Sequence, residues 1–199
     1  MKRLLHVGCG HQRKSGTTPG FNTDDWHEVR LDIDPSVSPD VTGTMTDMNA
    51  VGSGTMQGIF SSHNIEHLYS HEVPVALAEF LRVLSDGGFA VITCPDLQSA
   101  CAMIAEDKIE EAAYISAAGP ITPLDILYGF RPYVVSNMYM SHRCGFTRKT
   151  LHATLQAAGF TSVATFASSF SLWALASKSV RTEEEMRELA AQHFPRYEQ

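Results

Sequence analysis

The chain has 199 residues, 44% of them apolar, and a formal net charge of −7 with neutral histidines. That length supplies one well-buried core and is marginal for two, and the apolar share excludes disorder throughout. The acidic balance, with no Lys/Arg run longer than two residues, excludes a long sequence-blind grip on a phosphate backbone, which needs a basic face.

In chain order, Arg3–Val7 reads as a buried strand. His11–Trp26 does not read as a good helix, because Gly16, Pro19 and Gly20 interrupt it. Glu28–Ile33 is predicted as a second strand, Asp40–Gly43 as a short third and Gln57–Ser62 as a fourth. Ser70–Leu84 carries Val73, Leu77, Phe80, Leu81 and Leu84 at amphipathic-helix spacing, and Asp86-Gly87-Gly88 stops it before a fifth strand, Phe89–Thr93. From Pro95 to Arg143 the rhythm breaks. A short helix near Leu97–Ala113 is followed by Gly119-Pro120-Ile121-Thr122-Pro123 and then by Tyr128, Arg131, Tyr133, Asn137, Tyr139, His142 and Arg143. Residues 96–145 read as an insertion, within one domain of residues 1–199, that covers the open end of the sheet. Thr147–Ala158 is helical, with Thr147 as cap and Gly159 as stop. Thr161–Ala167 and Phe170–Ser177 are strands with almost no linker, which implies antiparallel pairing at the sheet edge. Thr182-Glu183-Glu184-Glu185 has capping-box spacing and opens a last helix to about His193.

Leu4-Leu5-His6-Val7-Gly8-Cys9-Gly10 followed by Leu31-Asp32-Ile33-Asp34 is the most informative pair of segments. An apolar strand enters a Gly-x-Gly turn, and a second strand ends in carboxylates. The glycines let a backbone approach a ligand, and the carboxylate can grip a ribose diol. A methyl donor and a dinucleotide both fit that order. The dinucleotide fingerprint wants a third glycine where Arg13 stands, and a helix where Pro19 and Gly20 stand. Cys9, Cys94, Cys101 and Cys144 form no C-x-x-C pair. No signal peptide is read ahead of the first strand, and no apolar run reaches the ~18–20 residues of a membrane span. Reduced thiols and a cytoplasmic location are expected, with Cys9 a small packing residue rather than a nucleophile.

On these segments the chain resembles the class I S-adenosylmethionine-dependent methyltransferases, in particular their small type 11-like group. The resemblance rests on Leu5–Gly10, Leu31-Asp32-Ile33-Asp34-Pro35, Pro39-Asp40-Val41, Ser61–Leu68, and Glu79–Gly88 running into Phe89–Pro95. Gly145-Phe146-Thr147 and Ala158-Gly159-Phe160 suit the closing helix and strand pair. It implies an α/β, Rossmann-like, mostly parallel seven-stranded sheet with an antiparallel last strand. Helices lie on both faces, and a helical and loop insertion follows the fifth strand. It also implies S-adenosyl-L-methionine as cofactor. Gly8, Cys9 and Gly10 would lie under its methionine part, and Asp32 would take the ribose hydroxyls beside Ile33. Asp34 would be a turn residue next to Pro35. Thr44 and Met45 would meet the adenine, with Asp47 as a substitute, while Ser62 and His63 would border the reactive end. Two positions depart from the pattern. His6 and Thr44 stand where the family often has acidic residues.

His63-Asn64-Ile65-Glu66-His67 has the letters H-x-x-E-H of inverted zinc peptidases. The segment leaves a strand at the carboxyl edge of the sheet instead of lying on a long helix, so no metal is expected there. His67 is read as capping or packing the next helix. His63 and His142 are the candidate bases, since an imidazole pKa near 6.5 suits the task. Asn64 is expected in the pocket wall. Tyr128, Arg131 and Arg143 could hold an acceptor, arginine forks favouring a carboxylate or phosphate. The expected activity is methyl transfer to a small or medium acceptor, with no extended nucleic acid and no membrane as partner. The alternative is a module that binds the cofactor without transfer. A nucleotide-linked oxidoreductase is the third reading.

Overall fold

The computed structural model describes residues 1–195. Seven strands form one sheet: β1 (Lys2–Val7), β2 (Trp26–Asp32), β3 (Val41–Thr42), β4 (Met56–Ser62), β5 (Leu84–Pro95), β8 (Ser162–Ser168) and β9 (Ser171–Ser177). Their order is β3-β2-β1-β4-β5-β9-β8, with β1 to β5 mutually parallel and β9 antiparallel to both its neighbours. The interior of β1 is buried on both sides, which explains its unbroken apolar run. Leu5 and Val7 face the larger core, built with α1 (Val73–Val83) and α5 (Arg148–Ala158). Leu4 faces the other side, with Phe21, Trp26, Phe60 and Phe89.

That second side lacks the helix that usually follows β1 in a doubly wound sheet. A 3-10 turn at Lys14–Gly16 is the one helical piece between β1 and β2. Phe21 and Trp26 fill the space instead, edge to face with centroids 4.9 Å apart. Gly58 on β4 makes room for them, since a Cβ there would lie 2.8 Å from Phe21 and 2.9 Å from Trp26. The C-terminal helix α6 (Glu183–His193) closes this face. It starts on the expected Thr182/Glu185 capping box and packs Met186, Leu189 and Ala190 onto the aromatics. His193 lies 4.4 Å from Phe21, and its Nδ1 pairs with the Thr18 hydroxyl at 2.6 Å. Helices thus lie on both faces.

Three boundaries differ from expectation in ways that change the reading of the fold. The first long helix begins at Val73, not Ser70, because the Tyr69 N–H is tied to the Glu72 carboxylate at 2.8 Å and Pro74 sets the first turn. β5 begins at Leu84, directly after α1, and Asp86-Gly87-Gly88 bulges out of it between the Met56–Leu84 and Gly58–Phe89 pairs. Within residues 96–145 the first helix, α2 (Leu97–Ala105), is shorter than expected. A small hairpin follows, β6 (Tyr114–Ser116) with β7 (Gly119–Ile121), then α3 (Pro123–Tyr128) and α4 (Arg131–Val134). The β8–β9 hairpin turns through Ser169 and Phe170, both at positive φ (49° and 66°), the conformation of a two-residue type I′ turn. Phe170 offsets that strain by packing on the Ala100/Ile121/Ile126 cluster, and its carbonyl accepts the Asp96 N–H at 2.8 Å.

Candidate functional site

Strand order reverses between β1 and β4, and the carboxyl ends of these strands form the crevice where open α/β sheets bind ligands. Gly8 and Gly10 leave β1 at φ +61° and +50°, the left-handed region that glycine enters freely. The Gly8 and Cys9 N–H groups both donate to the Leu31 carbonyl, at 2.8 and 3.2 Å, which ties the turn to β2. Asp32 completes the tie. Its Oδ2 accepts the Gly10 N–H at 2.7 Å, and its Oδ1 accepts the Asp34 N–H at 2.9 Å. An ionised carboxylate offers about four acceptor positions, so two remain. Asp34 is a turn residue and caps the 3-10 turn Pro35–Val37 through the Ser36 N–H.

Beneath the turn lies a residue that sequence reasoning missed. Arg30 is 2% exposed, and its guanidinium donates to four carbonyls: Gly10 (2.5 Å), Ser38 (2.7 Å), Gln12 (3.2 Å) and Val37 (3.2 Å). It clamps the glycine turn to the loop after β2. His6 is 3% exposed, bonded to Glu28 at 2.8 Å and tilted against Phe60. Burial lowers its pKa more than Glu28 raises it. Cys9 is 1% exposed, and burial pushes its thiol up to about 11, so it is no nucleophile.

On the other side of β2, Gly43 donates to the Asp32 carbonyl at 2.9 Å, bringing 43–47 beside Ile33, which is 44% exposed. The Thr44 hydroxyl meets the Thr46 hydroxyl at 2.9 Å, and Met45 packs on the larger core. The loop beyond is held by a bidentate pair. Glu79 accepts from Arg82 at 2.6 and 2.8 Å and from the Met48 N–H at 2.7 Å, while Arg82 donates to the Met48 and Val51 carbonyls.

At the end of β4, Ser62 bonds the Thr93 hydroxyl at 2.8 Å. Asn64 ties the glycine turn to the ends of β1 and β4. Its Nδ2 donates to the Val7 and Ser62 carbonyls at 2.9 and 3.0 Å, and its amide fills the space a Cβ on Gly8 would need, 1.9 Å from Oδ1. Among the described residues, nothing beyond its chain neighbours lies within 4 Å of the corresponding position on Gly10, so the open part of the turn is there.

Next to it the H-x-x-E-H segment forms a cluster. Ile65–His67 is one 3-10 turn, and Glu66 is 1% exposed. His63, at φ +52°, brings Nδ1 to 3.3 Å from Glu66 Oε1, and His142 Nε2 lies 4.0 Å from the same oxygen. Neither approach has hydrogen-bond geometry, so both Glu66 oxygens lack a hydrogen-bond partner among the described residues. His67 does not cap α1. Its Nδ1 donates to the Ser141 carbonyl at 3.1 Å, and its ring meets His142 edge-on at 5.0 Å. Burial opposes the Glu66 charge, but the imidazoles outweigh it and hold the carboxyl below the usual range. Burial likewise opposes a charged His63, and Glu66 outweighs it, raising the imidazole pKa. His142 is lowered, chiefly by burial.

Residues 96–145 reach this cluster through His142. Arg143 does not face it with its guanidinium, which lies 4.8 Å over the Tyr69 ring. Arg131 pairs with Asp125 at 2.9 Å. Burial alone would raise Asp125, but Arg131 and Thr122 hold it at about 2. Tyr128 is 62% exposed. Two clefts, of about 390 Å³ beside Val73 and Phe146 and about 420 Å³ beside Trp26 and Gln192, include no residue of the glycine turn.

Solved structures share this fold. The Burkholderia thailandensis 1,6-didemethyltoxoflavin-N1-methyltransferase, with bound 1,6-didemethyltoxoflavin and S-adenosylhomocysteine, superposes with a TM-score of 0.53 at 15% identity, covering 89% of this chain and 71% of that one. A SAM-dependent methyltransferase from Archaeoglobus fulgidus gives 0.55 at 13% identity, covering 88% and 85%. The chain has the class I S-adenosylmethionine-dependent methyltransferase fold. No protein-family model matches it, and no curated protein matches its sequence. Among the described residues, no helix is long and apolar enough to cross a membrane.

Proposed function

We propose that this chain is a cytoplasmic methyltransferase that takes its methyl group from S-adenosyl-L-methionine and passes it to a small or medium acceptor. One observation carries the reading. The positive-φ turn Gly8-Cys9-Gly10 is bonded to Asp32 at the carboxyl edge of the sheet, with open space at Gly10. The residues fit an adenosyl ligand. Asp32 retains two acceptor positions for ribose hydroxyls, and exposed Ile33 and the 43–47 loop lie on the adenine side. The cytoplasmic part rests on four cysteines, none of them disulfide-bonded.

When bound, the cofactor supplies an activated sulfonium methyl. The protein then has to align an acceptor with it and keep water out. Residues 96–145, which arrive beside His63 through His142, are the proposed cover, with Tyr128 as an acceptor contact. Asn64 acts by fixing Gly8 against β4 rather than by touching the acceptor. His63 is the proposed base. Glu66 Oε1 lies 3.3 Å from its Nδ1, so Nε2 is the nitrogen that would accept a proton where the acceptor arrives protonated. Arg131 and Arg143 are engaged with Asp125 and Tyr69, so an acceptor grip from them requires those contacts to exchange.

Calorimetry with S-adenosylhomocysteine tests the site, and transfer of labelled methyl from the cofactor into a metabolite extract tests the activity. Binding with labelled product is expected. Binding without any product would reduce the protein to a cofactor-binding module. A thermal shift with NADH but not with the adenosyl ligands would overturn the reading altogether.

A further inference from the structure

The Glu66 carboxylate is fully enclosed, and among the described residues neither oxygen has a hydrogen-bond partner, His63 Nδ1 lying 3.3 Å from Oε1 without hydrogen-bond geometry. A buried charge in that condition calls for a cation. Around it, one ligand atom each from Glu66, His67 and His142 lies within 4.8 Å of the others. We propose that these three residues bind a divalent first-row transition-metal ion.

The imidazoles are oriented for it. His67 Nδ1 points at the Ser141 carbonyl and His142 Nδ1 at the Ile126 carbonyl, 3.1 and 2.8 Å away. A carbonyl can only accept, so both Nδ1 atoms carry protons. In the neutral rings both Nε2 atoms therefore carry lone pairs. A backbone carbonyl on the far nitrogen is how metal-bound histidines are usually held. The His142 Nε2 lies 4.0 Å from the Glu66 carboxylate, and a lone pair facing a carboxylate is favourable only where positive charge sits between them.

The backbone holds the two halves together. The Glu66 carbonyl accepts both the Arg143 N–H (2.8 Å) and the Cys144 N–H (3.2 Å), and the Cys144 thiol donates to the Ile65 carbonyl. His142 is thereby sewn opposite Glu66 from a segment far along the chain. The Cys144 thiol is engaged by that bond and is not among the converging ligand atoms. Two imidazoles and one carboxylate suit zinc, iron, cobalt or nickel better than magnesium or calcium, which prefer all-oxygen sets. Ligand distances near ~2.0–2.2 Å require these side chains to draw together by about an ångström around the ion. Three protein ligands leave coordination positions open beside His63, which is 44% exposed on its side chain.

The test uses the full chain without a histidine tag, stripped with chelator and titrated with Zn²⁺ by calorimetry. Co²⁺ serves as the absorption probe. One equivalent of Zn²⁺ per chain is expected, with visible Co²⁺ bands. Glu66→Gln and His142→Ala should each weaken Zn²⁺ at least 100-fold, while His71→Ala, which removes only a ring stacked on Tyr69, should leave it unchanged. Thermal unfolding checks that each variant folds, and His67→Gln stands in for any that does not. The inference is overturned if the wild-type chain takes up neither Zn²⁺ nor Co²⁺, or if the ligand variants bind as tightly as wild type. In either case Glu66 is balanced without a metal, by His63 beside it. Metal binding is read without any cofactor, so it stands or falls separately from methyl transfer.

Discussion

Replacing Arg30 by methionine removes the clamp beneath the glycine turn while keeping side-chain length. The guanidinium makes two short bonds, to Gly10 and Ser38 at 2.5 and 2.7 Å, and two long ones. Hydrogen bonds to a charged group contribute about 1.5–3 kcal/mol each. The short pair alone therefore represents about 3–6 kcal/mol. Removing the charge also removes its desolvation penalty, and methionine recovers apolar burial. We expect a net loss of about 2–4 kcal/mol of folding stability, read as a lower urea midpoint at unchanged slope. Affinity for S-adenosylhomocysteine should fall at least tenfold, because Gly10 and the 35–38 turn lose their common anchor. Arg30→Lys should lie between, since one ammonium with three donors cannot span four carbonyls. If Arg30→Met unfolds within ~0.5 kcal/mol of wild type and binds the ligand equally well, the clamp has no energetic role and the argument fails.

Three further outcomes are expected. Asp32→Ala should weaken S-adenosylhomocysteine by about tenfold or more, since one charged acceptor bond is worth ~1.5–3 kcal/mol; unchanged affinity by calorimetry would remove Asp32 from the site. Gly8→Ala combines a left-handed φ, costing roughly 1–2 kcal/mol, with a collision at Asn64. Adding Asn64→Ala should recover part of the loss but not the φ cost, and strictly additive effects in a double-mutant cycle would deny the contact. Finally, burial lowers His193 from 6.5 to about 4. Between those values the unfolded chain takes a proton that the folded chain refuses. Stability should therefore fall as pH drops from 6.5 to 4, by up to about 3 kcal/mol, and level off below. His193→Gln should remove that part of the slope; identical pH profiles for both proteins would show that His193 is not buried neutral.

Much of the architecture was legible because its signals are local. The Thr182/Glu185 spacing does form a capping box, Gly159 does stop α5 in the left-handed region, and the close approach of the last two strands does form a tight antiparallel hairpin. The Gly8/Gly10 turn and the Asp32 position were visible for the same reason. Reading residues 11–26 as a poor helix was also sound, but nothing there announced that α6 would cover the exposed face. That contact pairs residues near opposite ends of the chain, such as Thr18 and His193. That the Asn64 amide lies over Gly8 was not legible either, because strand packing rather than spacing fixes that relation.

The site's chemistry divides along the same line. Apolar runs, caps and glycine turns act over a few neighbouring residues, so the amino-acid order by itself determined the strands, the helices and the carboxylate, Asp32, at the end of the second strand. Arg30 looks like any strand arginine until four carbonyls from two loops converge on it. H-x-x-E-H looks like an accident of a strand exit until residues 141–144 fold back and set His142 against a carboxylate sealed from water. Those arrangements depend on chain closure over long separations and on what burial leaves unpaired, and only the tertiary structure decides either.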